Sequence, residues 1–226
     1  MTERRSIEII EIVNRGRRPH AGEAARTRLA DIEQRIVVAP VYGAKRERGS
    51  SPARSATVVI HVEVARTHGD HIGNVGLFPE STVLIQRAEY KWISSPDGPN
   101  DNVNQLKALA RKLMGTPKHL RLLDGDTDVF GDGSVTLIST PGHTPGSQSL
   151  LVHLKNSGFV ILSGDVVHLE ENFEKNTVPS LNTDRTASIA SMERIRKMIA
   201  TYKAKFFINH DKAESDALKL IPAFYD

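Results

Sequence analysis

An α/β architecture of alternating sheet and helix layers follows from three observations on the 226-residue sequence. Short runs of branched apolar residues alternate along the chain with stretches of helical periodicity. Hydrophobic residues make up 39% and charged residues 25%, the balance of a domain that buries a core. There is no cysteine, so that core does without disulfides. The same absence excludes a cysteine nucleophile, an iron–sulfur cluster and any thiolate zinc site.

Taken in order, residues 7–13 and 23–36 have the spacing of short helices, and 43–55 read as a polar loop. Residues 56–64 (ATVVIHVEV) form a β-branched strand, and 81–86 (STVLIQ) another. Residues 102–114 predict a helix, stopped by Gly115 and Pro117. Three strands follow at 135–139, 147–154 and 158–163, the last two separated by a turn at 155–157. Residues 187–202 predict an amphipathic helix with Ile189, Met192, Ile195 and Ile199 on one face, and 205–209 (KFFIN) a strand ending just before His210.

Charge is distributed unevenly. Residues 1–66 hold 12 Arg and one Lys against eight Asp and Glu, whereas the rest of the chain is slightly acidic. The basic residues are scattered, and Tyr42 is the one aromatic among the first 66, so no base-stacking platform is visible and no nucleic-acid partner is expected. No apolar run approaches the ~18–20 residues of a membrane span, and the N-terminal stretch lacks a signal-peptide pattern. No membrane partner is expected, and the cytoplasm is the expected compartment. Oligomeric state is not legible.

The residues that carry chemistry cluster at strand ends. THGDHIGN (67–74) places His68, Asp70 and His71 within four positions. STPGHTPGS (139–147) follows a strand, and its two Pro-Gly pairs hold His143 in a tight turn. ILSGDVVH (161–168) delivers Asp165 from an apolar strand, and FFINHD (206–211) delivers His210. With cysteine absent, imidazole and carboxylate are the donors on offer, which suits zinc and its neighbours. Each motif is weak alone, and their ordered combination is what carries the reading. The isolated His20, His61, His119 and His153 are expected to be surface or packed residues rather than ligands.

This ordered set resembles the metallo-β-lactamase superfamily from Thr67 to the end of the chain. Within it, the N-acyl homoserine lactonase branch is the nearest likeness, through FPESTVLIQRAEYKW (78–92), VFGDGSVTLISTPGHTPGSQSLLV (129–152), SGDVVHLEENFEKNTVPSLNTD (163–184) and INHDKAESDALKLIPAFYD (208–226). The resemblance implies a metallo-β-lactamase αβ/βα sandwich over residues 67–226, with the metal site at the edge between two sheets and residues 1–66 as an atypical basic segment. It implies His68, Asp70, His71, His143, Asp165 and His210 as metal ligands, with Asp165 bridging two ions. The expected cofactor is zinc, one or two ions, with other divalent metals compatible. The implied activity is hydrolysis of a small-molecule lactone or ester, foremost the ring of N-acyl homoserine lactones, by a metal-activated hydroxide. Asp70 and His168 are the candidate catalytic residues. His168 stands where close relatives carry a tyrosine that assists the leaving alkoxide, and it can donate a proton or orient Asp165.

Two departures set further expectations. Arg66 occupies the position of the family's first histidine, and a guanidinium offers no lone pair to a metal. The first metal site is therefore expected to be one ligand short, unless His61 reaches it by a register slip. The alternative function is accordingly an impaired relative that keeps the fold but not the dinuclear centre. A glyoxalase II type thioesterase uses the same ligands, and a β-lactamase follows from fold alone. Residues 1–66 also offer one convincing strand where the family has several. That texture matches an out-of-frame or rearranged coding segment better than ordinary divergence. An incomplete first sheet is expected, with the core under Val83, Leu84 and Ile85 open.

Overall fold

The computed structural model describes residues 37–40, 56–59, 82–96, 98, 101–114 and 119–218. The helices expected at 7–13 and 23–36 lie outside them. Of the strand expected at 56–64, residues 56–59 are described, as β2 (Ala56–Val59), which pairs antiparallel with β1 (Val37–Pro40).

The first layer begins with β3 (Thr82–Gln86), whose branched residues run straight into helix α1 (Arg87–Ser94). Helix α2 (Asp101–Met114) leads back to β4 (His119–Leu123), which pairs parallel with β3. The two helices are tied together where Arg111 donates to the Ile93 carbonyl (2.7 Å) and the Lys107 ammonium donates to Ser95 Oγ (2.8 Å). Strand β4 is not expected from sequence, because His119 and Arg121 interrupt its apolar run. In the fold both point outward, and Leu123 is buried. Val83, Leu84 and Ile85 are all buried, so the expectation of an open core beneath them is not met. Among the described residues the first sheet comprises β3 and β4, apart from the β1–β2 ladder.

The second layer is a five-stranded sheet in sequence order: β5 (Thr127–Asp128), β6 (Val135–Ser139), β7 (Gln148–Leu154), β8 (Gly158–Leu162) and β9 (Lys205–Phe207). Both faces of this sheet are buried, and its strands read accordingly as almost continuous apolar runs. Leu137, Leu150, Val152, Leu154 and Val160 meet Leu84 and Leu123 of the first layer. The alternate residues Ile138, Leu151 and Ile161 meet Met192 and Ile195 of α4 (Arg185–Tyr202). Helix α4 starts where the Asp184 carboxylate accepts from the Ala187 amide (2.9 Å). Two short helices unmarked in the sequence reading, α3 (Glu170–Lys175) and α5 (Lys212–Ala217), complete the fold.

Strand direction positions the site. β6 and β8 are both antiparallel to β7, and β9 is parallel to β8. The C-terminal ends of β6, β8 and β9 therefore share one edge of the sheet. His143, Asp165 and His210 follow those three ends. No helix among the described residues is long and apolar enough to cross a membrane.

Candidate metal centre

Asp165 is the hub. It sits in a single 3₁₀ turn (Gly164–Val166) directly after β8, with φ −99° and ψ 22°, in the sparsely populated bridge region. Gly164 takes φ 54° to admit the turn, and the Ser163 hydroxyl donates to the Gly164 carbonyl (2.6 Å). The Asp165 side chain is 0% exposed, and three imidazoles face it. His143 Nε2 stands 3.4 Å from Oδ2, His168 Nε2 3.9 Å from Oδ2, and His210 Nε2 2.8 Å from Oδ1. The His143 and His168 rings meet edge to face with centroids 5.0 Å apart, and those of His168 and His210 stack at 5.4 Å.

The His143 loop is built from its own short hydrogen bonds. The Thr140 amide donates to the Ser147 carbonyl (2.8 Å), and the Thr144 amide to Ser147 Oγ (2.9 Å). Helix α4 grips it from one side, where Ser191 Oγ donates to the Pro141 carbonyl (2.7 Å) and Arg194 donates to the Ser139 carbonyl (2.8 Å) and pairs with Asp126. Gly142 has φ 140°, and a side chain there would strike Ser188 at 2.4 Å. The segment before α4 adds amides from Thr183 to the His143 carbonyl (3.0 Å) and from Asp184 to the Gly142 carbonyl (2.9 Å). Asn182 Oδ1 lies 2.9 Å from His143 Nδ1.

Helix α1 grips the loop from the other side. The Gly146 amide donates to Glu89 Oε2 (2.9 Å), and a Cβ on Gly146 would lie 2.5 Å from the Glu89 nitrogen. Glu89 is fully buried, and burial pushes its carboxyl up to about 8. The Thr144 hydroxyl and the Gly146 amide favour the charged form but do not offset that desolvation. At neutral pH Glu89 is therefore largely a neutral acid.

His210 is held differently. The Asn209 amide donates to Ser163 Oγ (3.0 Å), and the Ile208 amide to Glu214 Oε2 (2.7 Å). Asp211 caps α5 through Ala213 (3.0 Å) and accepts from the Glu170 amide (3.0 Å). The bond from Glu170, ahead of those from Glu214 and Ala213, holds its carboxyl below the usual carboxylate range.

The donor chemistry fits a divalent cation. Bonds of ~2.0–2.1 Å at tetrahedral angles put donor atoms about 3.3 Å apart. The imidazole-to-carboxylate separations of 2.8, 3.4 and 3.9 Å bracket that spacing. The donor atoms of His143, Asp165 and His168 all lie within 4.8 Å of one another, so His168, expected as a catalytic residue, is placed as close as a ligand. Of the residues expected from sequence, the structure thus brings together His143, Asp165, His168 and His210. His68, Asp70, His71, Arg66 and His61 lie outside the described residues. The isolated His153 stacks on Phe159 at the surface (4.1 Å), and His119 is exposed.

No motif in the sequence points to Asn182 or gives Glu89 a role. Glu89 carried a signal: with Ile93 it forms the buried i, i+4 face of α1, where an acid is out of place. Asn182, in an irregular segment, carried none.

Residues 67–208 match the metallo-beta-lactamase superfamily. The chain belongs to that superfamily. Among curated members it is 32% identical over 172 residues to the N-acyl homoserine lactonase AttM of Rhizobium radiobacter, covering 74% of this chain and 64% of that one. It is 29% identical over 166 residues to an N-acyl homoserine lactonase of Bacillus sp, covering 74% and 61%. The chain thus spans under two thirds of the length of these relatives. In structure it superposes on a mutant of AiiA from B. thuringiensis with N-decanoyl-L-homoserine bound at the active site, with TM-score 0.60 and 26% identity over 74% of this chain and 60% of that one. AidC, a dizinc quorum-quenching lactonase, shares the fold at TM-score 0.53 and 18% identity, covering 78% and 76%. The metallo-β-lactamase fold expected from the sequence is the fold observed.

Proposed function

We propose that this member of the superfamily is a metal-dependent hydrolase that opens the lactone ring of N-acyl homoserine lactones. The observation that carries the reading is the buried Asp165 carboxylate faced by three imidazoles at one sheet edge, in a chain whose relatives are lactonases. His143, Asp165 and His210 would hold the metal, together with His68, Asp70 and His71 supplied from the THGDHIGN motif. When bound, a zinc-class ion supplies an activated water near neutral pH and a Lewis acid for the carbonyl.

The chain's own residues do the rest. Asp165, a buried carboxyl facing the imidazoles, would supply the negative charge that a dication needs. His168, 19% exposed, would hand a proton to the ring oxygen as its bond to the carbonyl carbon breaks, leaving a carboxylate and a free hydroxyl. Asp70 is assigned as a ligand that also orients the attacking water.

The test is a side-by-side assay of the zinc-loaded chain on N-hexanoyl homoserine lactone, a glutathione thioester and a β-lactam. Faster turnover of the lactone supports the reading, and preference for the thioester replaces it with the glyoxalase II type. A second reading, an impaired relative, rests on Arg66 in the first-histidine position. It requires that Arg66→His raise turnover at least tenfold over the present chain.

A further inference from the structure

Three polar residues around His143 fix the direction of every hydrogen bond between them. The Ser188 hydroxyl lies 2.7 Å from the Asp184 carbonyl oxygen. A carbonyl has no hydrogen, so the single hydroxyl proton of Ser188 is committed to that contact. Ser188 Oγ can then only accept from Asn182, whose amide nitrogen lies 2.9 Å away. This places the Asn182 NH₂ toward Ser188 and its carbonyl toward His143, an orientation that geometry alone leaves open for an asparagine. Asn182 Oδ1 in turn has no hydrogen, so the 2.9 Å contact with His143 Nδ1 requires the proton on the ring nitrogen.

We infer that Asn182 is a positioning residue for the metal centre: anchored through Ser188 to the first turn of α4, it holds His143 as the Nδ1–H tautomer. The lone pair of neutral His143 then sits on Nε2, the atom facing Asp165 at 3.4 Å. Two acceptors aimed at each other at that distance are at ease with a cation shared between them. His143 and Ser188 are both 2% exposed and Asn182 between them is half-buried, so the two ends of the chain of bonds lie away from solvent. Ser188 also lies directly against Gly142, the neighbour of His143 in the loop, which makes the anchor and the ligand parts of one packed unit.

The consequence for metal binding rests on the hydrolase reading, whereas the tautomer does not, and the experiment separates them. Nitrogen-15 NMR of the imidazoles in the metal-free chain, at about pH 9 and so above the imidazole titration range, reads the tautomer directly. His143 is expected with its proton on Nδ1, and a proton on Nε2 overturns the inference. Zinc affinity is then measured by competition with a chromophoric chelator. Asn182→Ala is expected to weaken it ~10–100-fold and to mix the tautomers. Asn182→Asp keeps an acceptor facing Nδ1 and is expected to recover most of the loss. Leu154→Ala, which truncates the core far along β7, is expected to lower stability while leaving the tautomer as it was. Wild-type zinc affinity in Asn182→Ala overturns the role of Asn182. An Nδ1-protonated His143 in a chain that takes up no zinc instead overturns the metal reading.

Discussion

The loops that carry His143 and His210 face the same carboxylate and are held in opposite ways. The His143 loop is clamped between two helices, by Glu89 of α1 and by Ser191 and Arg194 of α4, and His143 is 2% exposed. The His210 loop is tied to Ser163 and Glu214 through its backbone amides and to Glu170 through Asp211, and its imidazole is 30% exposed. One histidine is walled in by the fold and the other is partly open to solvent. The difference teaches where precision is invested: glycines 142 and 146 let two helices approach the first loop to contact distance.

The largest expected effect comes from removing what both loops share. Asp165→Ala should lower lactone opening at least ~100-fold, beyond the range typical of residues that only support a ligand. Kinetics at saturating zinc check it, and turnover within tenfold of wild type would mean the two loops do not serve one centre.

Next is the pH dependence contributed by Glu89. Its carboxyl titrates at about 8 in the fold and near 4.5 when unfolded. The unfolded chain therefore releases this proton first as pH rises. The stability Glu89 contributes is complete below about pH 4.5 and is lost as pH climbs to about 8, a change of order 4–5 kcal/mol at most. Glu89→Gln, a neutral mimic, should flatten that slope. Urea midpoints at several pH values for both proteins decide it, and parallel slopes would sink the assignment.

Gly146→Ala should cost about 1–3 kcal/mol, because a methyl group there overlaps the α1 backbone at Glu89. On the His210 side, Ser163→Ala removes the acceptor for the Asn209 amide and should cost less, about 0.5–1.5 kcal/mol. Thermal melts of the two variants rank the loops, and a larger loss from Ser163→Ala would reverse the comparison.

Much of this arrangement was legible in the sequence. Strands such as VTLIS and QSLLVHL declare themselves by their runs of branched apolar residues, because a sheet buried on both faces needs no strict polar alternation. The ends of β6, β8 and β9 carry His143, Asp165 and His210, so the site edge is readable from motif position. Strand β4 was hidden because a strand with exposed His119 and Arg121 lacks that signature. Helix α1 was hidden because only Glu89 and Ile93 of its eight residues are buried, and one of them is an acid. Asn182 was hidden for a different reason: its role depends on a contact across 39 positions to His143, which no local pattern encodes.

The central claim is that these strand ends build a metal centre. Elemental mass spectrometry on the purified chain, dialysed after zinc loading, tests it most directly. The expected result is at least one zinc per chain, approaching two if the first site is completed despite Arg66, with the metal lost in Asp165→Ala. A wild-type chain that retains no more zinc than Asp165→Ala would contradict it.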